Sequence, residues 1–206
     1  QFVYVPHTGP NKVYQFRLDA KAGKLVPNDP PFVAGPDTEH RYHEPRHIAM
    51  HPEFKMAFTS NENGGGITSW KLDPENGRLT QLETLSTLPP GYEESSHAAD
   101  IKITPDGRFA YVSNRDTTKR AEGESMQDTL AAVSISLRTG KMKVVGHYDT
   151  AHFPRSICID VSGNFLYAAG QKTTELLAYR INKRSGALKH LKTYQVGGGP
   201  IWVMSA

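Results

Sequence analysis

The runs Phe2-Val3-Tyr4-Val5, Met56-Ala57-Phe58-Thr59, Phe109-Ala110-Tyr111-Val112 and Phe165-Leu166-Tyr167-Ala168 decide the fold of this chain. Their central aromatic falls at positions 4, 58, 111 and 167, spacings of 54, 53 and 56 residues. About ten residues after the aromatic run comes a second apolar run: Val13-Tyr14-Gln15-Phe16, Ile67-Thr68-Ser69-Trp70, and Leu176-Leu177-Ala178-Tyr179 in the last repeat. A turn of one type follows each unit: Ala22-Gly23-Lys24-Leu25, Asn76-Gly77-Arg78-Leu79, Thr139-Gly140-Lys141-Met142 and Ser185-Gly186-Ala187-Leu188. A period of this length, made of short β runs and glycine turns, is the signature of β-propeller blades. One blade cannot bury both faces of its small sheet, so blades must stack. Equivalent positions of successive blades then converge on a common axis, which is where a site is expected.

Working outward from these runs gives the order within a unit. In the second repeat His47-Ile48-Ala49-Met50 alternates as an inner strand, and His51-Pro52-Glu53-Phe54 turns the chain into the aromatic strand. Asn61 to Gly66 is a polar loop, Ile67 to Leu72 the next strand, and Asn76-Gly77 supplies the positive φ angles of the last hairpin. The third and fourth repeats start at Asp100-Ile101-Lys102-Ile103 and Ser156-Ile157-Cys158-Ile159. The predicted fold is all-β, a propeller of four-stranded blades, with repeats at about 1–45, 46–97, 98–153 and 154–196. The residues 197–206 read as the inner strand of a further blade. The first repeat lacks an inner strand before Phe2, so the chain is expected to be the C-terminal four or so blades of a longer propeller, unstable or self-associating when isolated. The segment 116–128 is an enlarged, charged loop.

The composition of the 206 residues narrows the class. Hydrophobic residues make up 37%, enough for a core, and no apolar run nears the ~20 residues that span a bilayer. A net charge of +3 without a dense Lys/Arg run excludes a nucleic-acid-binding surface and argues against a membrane partner. The single cysteine, Cys158, allows no intrachain disulfide and reads as a small buried hydrophobe. One thiol suits a reducing, cytoplasmic setting. His40, His43, His47 and His51 lie close in sequence, but an alternating strand does not turn them all to one side, so no metal site is expected.

Two sets of equivalent positions mark the axis. Four residues after the aromatic stand Thr8, Glu62, Arg115 and Gln171; at the start of the inner strand stand Arg46, Ala99, Arg155 and Ile201. A residue that serves only the blade framework should repeat, as the aromatic does. Polar side chains that differ from blade to blade suit a ligand on the axis instead. Three arginines and a carboxylate on one rim suit an anionic small molecule, because the planar guanidinium binds carboxylate or phosphate through two parallel bonds. His7, His97 and His152 are candidates to face the same mouth, His97 first among them because it precedes the third inner strand.

The strings Glu44-Pro45-Arg46-His47, His51-Pro52, Ala98-Ala99-Asp100-Ile101-Lys102-Ile103-Thr104-Pro105-Asp106-Gly107-Arg108, Ala168-Ala169-Gly170-Gln171-Lys172 and Gly199-Pro200-Ile201-Trp202-Val203 resemble the seven-bladed propeller lactonase family over essentially the whole chain. The likeness is nearer to its bacterial 6-phosphogluconolactonase branch than to its fungal 3-carboxy-cis,cis-muconate lactonizing branch. It implies a cofactor-free hydrolase of the pentose phosphate pathway acting on a small anionic sugar lactone. Arg46, Glu62 and Arg115 fall on positions proposed as catalytic in the lactonizing branch; a histidine of that branch would lie upstream of Gln1. The expected catalytic set is Glu62 as general base with Arg46 and Arg115 holding the developing oxyanion. Arg155, Gln171 and His97 are the expected substrate-binding set. A lactonizing isomerase and a non-catalytic scaffold propeller, docking through the 116–128 loop, are the alternatives. The enzyme reading expects Arg46, Glu62 and Arg115 in one pocket; the scaffold reading expects them paired off between blades. The oligomeric state stays open.

Overall fold

The computed structural model describes residues 1–37, 41–119, 121 and 124–205. Among the described residues fifteen strands fall into four consecutive groups. The first holds β1 (Phe2–His7), β2 (Lys12–Asp19) and β3 (Lys24–Ala34). The second holds β4 (His43–Met50), β5 (Met56–Asn63), β6 (Gly66–Leu72) and β7 (Leu79–Ser86). The third holds β8 (Ser96–Ile103), β9 (Phe109–Asp116), β10 (Thr129–Ile135) and β11 (Met142–Asp149). The fourth holds β12 (Pro154–Ile159), β13 (Phe165–Gly170), β14 (Glu175–Ile181) and β15 (Leu188–Gln195). Within each group every strand pairs antiparallel with its chain neighbour. This is the antiparallel, all-β propeller architecture that the repeat predicts.

Apolar residues gather between sheets, one cluster to each interface. Val13, Ala57, Trp70 and Leu79 close the first groove. Phe58, Ile67, Ala98, Val112 and Val133 close the second. Tyr111, Leu130, Ile157, Leu166 and Tyr179 close the third. Each pair of facing sheets thus removes apolar surface from water, the arrangement a stack of blades requires. Cys158 is buried on β12, and burial pushes its thiol up.

The repeated aromatic strand and the repeated glycine turn meet across these grooves. The Tyr4 hydroxyl donates to the Gly77 carbonyl (2.7 Å), and the Tyr111 hydroxyl donates to the Gly186 carbonyl (2.8 Å). Burial raises the Tyr4 phenol to about 12 and that of Tyr111 further, so both remain donors. The glycine is demanded twice. Gly186 sits at φ +75°, and a Cβ there would lie 2.5 Å from Phe109; Gly77 sits at φ +73°, and its Cβ would lie 2.1 Å from Phe2. Gly186→Ala is therefore expected to cost about 2 kcal/mol, from left-handed backbone and forced movement of a core ring. A urea unfolding curve checks this, and an unchanged midpoint would mean that the turn glycine does not help to hold the two sheets together.

The inner strands β4, β8 and β12 are tied to one another chiefly through side chains. The Arg46 guanidinium and the Ser60 hydroxyl both donate to the Ala99 carbonyl (2.9 and 3.0 Å). Asp100 accepts from the Ile157 N–H (3.0 Å), and the Ser156 hydroxyl accepts from the Val203 N–H (3.2 Å). The residues 197–205, expected as an inner strand, form no strand. They are held against β12 by the Ser156 bond and by the Ser205 hydroxyl on the Ile159 carbonyl (3.1 Å), while Ile201, Trp202 and Met204 stand exposed. The 116–128 loop is anchored where Asp116 accepts from the Gln127 N–H (2.9 Å) and donates its own N–H to Asp128 (2.9 Å); residues 120, 122 and 123 lie outside the described set.

Candidate active site

Two arginines owe their placement to broken strand register. The pairing of β4 with β5 slips between Pro45 and His47, and that of β12 with β13 slips between Pro154 and Ser156. Arg46 and Arg155 are the extra residues of these bulges, which bend the strand and re-aim the side chain. The residue before each proline adopts left-handed backbone: Glu44 at φ 67° and Phe153 at φ 63°. Gly199, before Pro200, takes the same conformation at φ 66°. For glutamate and phenylalanine this is a strained state that the surrounding structure must hold, a pattern that clusters at functional sites.

Glu62 is the next-to-last residue of β5. The following residue, Asn63, pairs with His97 of β8, and His97 pairs with Arg115 of β9. This single inter-blade pairing brings Glu62 beside Arg115. The Arg115 Nη2 donates to Glu62 Oε1 (2.5 Å), and Arg46 Nε lies 3.6 Å from the same oxygen. Both arginines thus engage Oε1, which leaves Oε2 uncommitted among the described residues. Arg115 is almost wholly buried, its side chain 5% exposed, with further bonds to the His97 and Ala98 carbonyls and the Phe153 ring 5.1 Å away. Burial, then the neighbouring Arg115 charge, push the Arg46 guanidinium down, with Glu62 opposing and Arg155 adding to the fall. Four of the expected groups, Arg46, Glu62, Arg115 and Arg155, therefore share one field.

Arg46 and Glu62 line a cleft of about 250 Å³ together with Pro6, His7, Thr8 and His47. A larger groove of about 540 Å³, walled by Arg41, Tyr42 and residues of 86–92 and 144–147, shares no lining residue with this cleft. Among the described residues Arg155 makes no hydrogen bond or ion pair. Gln171 does not line the cleft. It borders a separate open groove with Lys172, Thr173 and Gly199, and its Oε1 is buried without a partner. His97 contributes its carbonyl to Arg115 rather than its ring to the cleft lining. His152 is held by Asp128 (2.7 Å). The two outcomes that separate an enzyme from a scaffold occur together: Arg46 and Glu62 face a common cleft, and Arg115 pairs with Glu62 across blades.

Two residues beyond the expected set complete the site. His47 donates from Nδ1 to Asp100 (2.8 Å) and accepts at Nε2 from Arg46 Nη1 (2.9 Å). Asp100 is fully buried. Burial alone would raise its carboxyl, but the His47 bond, the Lys102 ammonium and the Ile157 N–H outweigh burial and hold it below the usual range. Of the clustered histidines, His43 meets Glu44, His47 meets Asp100 and His51 meets the Gly107 carbonyl, while His40 lies outside the described residues.

Comparison with known proteins agrees with this architecture. The chain is 36% identical over 159 residues to the 6-phosphogluconolactonase of Pectobacterium carotovorum, covering 77% of this chain and 45% of that protein. It is 34% identical over 206 residues to the 6-phosphogluconolactonase of Yersinia enterocolitica, covering 98% of this chain and 56% of that protein. The chain therefore spans about half the length of these relatives. Among solved structures it superposes on the periplasmic gluconolactonase of Pseudomonas aeruginosa with a TM-score of 0.81 at 26% identity, over 97% of this chain and 52% of the other. A protein from Lactobacillus plantarum gives a TM-score of 0.83 at 27% identity, over 98% and 54%. The family model described as Lactonase, 7-bladed beta-propeller matches residues 1–205, and the chain belongs to that family.

Proposed function

We propose that the cleft at Arg46 and Glu62 is the catalytic centre of a sugar lactonase, with 6-phospho-D-glucono-1,5-lactone as the first substrate to consider. The observation that carries this reading is the Glu62 carboxylate. It is a wall of an open cleft, fixed through one oxygen by two arginines, with its second oxygen uncommitted. Glu62 takes a proton from a water as the water attacks the ring carbonyl carbon. The ester C–O bond then breaks, and the departing ring oxygen recovers a proton to become the hydroxyl of the acid product. Arg46, whose Nη2 makes no bond among the described residues, stabilises the negative charge that gathers on the carbonyl oxygen. Arg115, buried beneath Glu62, positions the base instead of meeting substrate, which narrows the role expected for it from sequence. Arg155, with no hydrogen bond or ion pair among the described residues, is the group available to an anionic tail such as a phosphate. A single buried thiol, Cys158, is compatible with action in a reducing compartment. Among the described residues no helix is long and apolar enough to cross a membrane.

Hydrolysis of phosphorylated and unphosphorylated gluconolactone, followed against the spontaneous rate with full-length protein, tests the reading. The phosphorylated lactone is expected to turn over with the lower KM. Arg155→Ala is expected to raise that KM about tenfold with kcat little changed, the loss of one charge-assisted bond. Hydrolysis no faster than the spontaneous rate for either lactone would sink the reading.

A further inference from the structure

Behind Arg46 stand two groups, His47 and Asp100, that the lactonase reading does not use. Arg46 has five N–H donors and no acceptor. Its Nη1 donates to His47 Nε2 (2.9 Å) and to the Ala99 carbonyl (2.9 Å), and its Nε faces Glu62 Oε1 (3.6 Å). Because arginine can only donate, His47 Nε2 must be the accepting nitrogen, and the ring hydrogen sits on Nδ1. There it meets Asp100, a carboxylate that can only accept, at 2.8 Å. Both neighbours thus select the same tautomer independently. Asp100 is itself immobile: fully buried, it accepts from Lys102 Nζ (2.7 Å), the Ile101 N–H (2.9 Å) and the Ile157 N–H (3.0 Å).

The consequence for Arg46 is directional. Its side chain is 13% exposed and occupies a strand bulge, where the backbone alone does not fix where a long side chain ends. Three acceptors from three elements, Glu62 on β5, Ala99 on β8 and His47 on β4, hold Nε and Nη1 of the fork. Nη2 is left as the group free to meet an oxyanion. Removing Ala99 as an acceptor is not possible by mutation, since it offers a carbonyl. His47 is the holder that can be removed without touching the base, Glu62.

We propose that His47, fixed by Asp100, is a positioning residue that aims the Arg46 guanidinium into the cleft. The proposal rests on the lactonase reading for its kinetic consequence and on geometry for its structural one. A misplacement of about 1 Å in such a group costs on the order of 10²-fold in rate.

Two isosteric fragments of histidine separate this role from a structural one. In His47→Asn the amide nitrogen can replace Nδ1 toward Asp100, but nothing replaces Nε2. In His47→Gln the amide reaches the position of Nε2 and its oxygen can accept from Arg46. With full-length protein and the 6-phospholactone, His47→Asn is expected to lower kcat roughly 10- to 100-fold, and His47→Gln to keep most of it. In an Arg46→Ala background, His47→Asn is expected to have no further effect. A crystal structure of His47→Asn is expected to show the Arg46 fork displaced from the Ala99 carbonyl. An Arg46 fork unmoved in that crystal, or His47→Asn at the parental rate in a protein whose Glu62→Gln variant is inactive, overturns the proposal. If Glu62→Gln hydrolyses the lactone as fast as the parent, the lactonase reading fails instead, and the position of Arg46 in the crystal still decides the role of His47.

Discussion

Glu62→Gln is expected to lower kcat for lactone hydrolysis by about 10²- to 10⁴-fold, the range that a general base contributes. Glutamine keeps the shape of the side chain and can still accept from Arg115 or Arg46 through its amide oxygen. It cannot take a proton from water. The substitution also removes the negative charge that Arg115 faces at 2.5 Å in a nearly water-free position. A buried guanidinium without a counter-charge is costly, so part of the effect will be structural. A thermal melt beside the rate measurement separates the two. A variant that melts with the parent and has lost its activity carries the catalytic reading; one that melts with the parent and turns over lactone at the parental rate ends it. Since KM reports substrate held by Arg46 and Arg155, it is expected to move much less than kcat.

The parts of this molecule that were legible in the sequence are the parts that every blade needs. Tyr4 and Tyr111 recur because each bonds the turn glycine of the next sheet, and Gly77 and Gly186 recur because an aromatic ring fills the space of their missing Cβ. One interface, repeated, writes one period into the chain. The site follows the opposite rule, and Glu62 and Arg115 stand out because equivalent positions hold Thr8 and Gln171. The same comparison one residue after Arg46 sets His47 beside Asp100, Ser156 and Trp202, again four different side chains, and could have found the His47–Asp100 pair. Strict alternation hid it. Alternation assumes an unbroken strand, whereas bulges at Arg46 and Arg155 shift the faces by one residue. Nothing in the residue types announces those bulges, since a residue before proline ordinarily avoids the backbone that Glu44 and Phe153 adopt. Only Gly199-Pro200, with a glycine at the equivalent place, hints at it. The burial of Arg115 was equally invisible, because it depends on Asn63 pairing with His97 across two blades, a contact without a local pattern.

Asp100→Asn is expected to destabilise the fold by about 3–5 kcal/mol at neutral pH, the cost of breaking a buried ionic network by removing one partner. The geometry allows no escape through an amide flip. Oδ1 accepts from His47, Lys102 and the Ile101 N–H, and Oδ2 accepts from the Ile157 N–H with the Ser156 hydroxyl 3.5 Å away. Asparagine has one acceptor oxygen, so in either orientation its NH2 confronts a main-chain N–H, that of Ile101 or of Ile157, which cannot accept. Because Ile157 belongs to the next inner strand, the damage spreads from one sheet to another. The pH dependence has a definite sign. Burial pushes the Asp100 carboxyl up, and the His47 bond and the Lys102 charge more than reverse it, so its folded value lies below its unfolded one. Such a group contributes stability that is complete above the unfolded value of about 4 and is lost as pH falls through the folded value. Parent and Asp100→Asn should therefore differ most near pH 7 and converge as the pH is lowered below about 4. Urea unfolding of both proteins across that range measures the difference directly. A gap that stays constant from neutral to acidic pH would mean that the carboxylate charge is not what holds β4, β8 and β12 together.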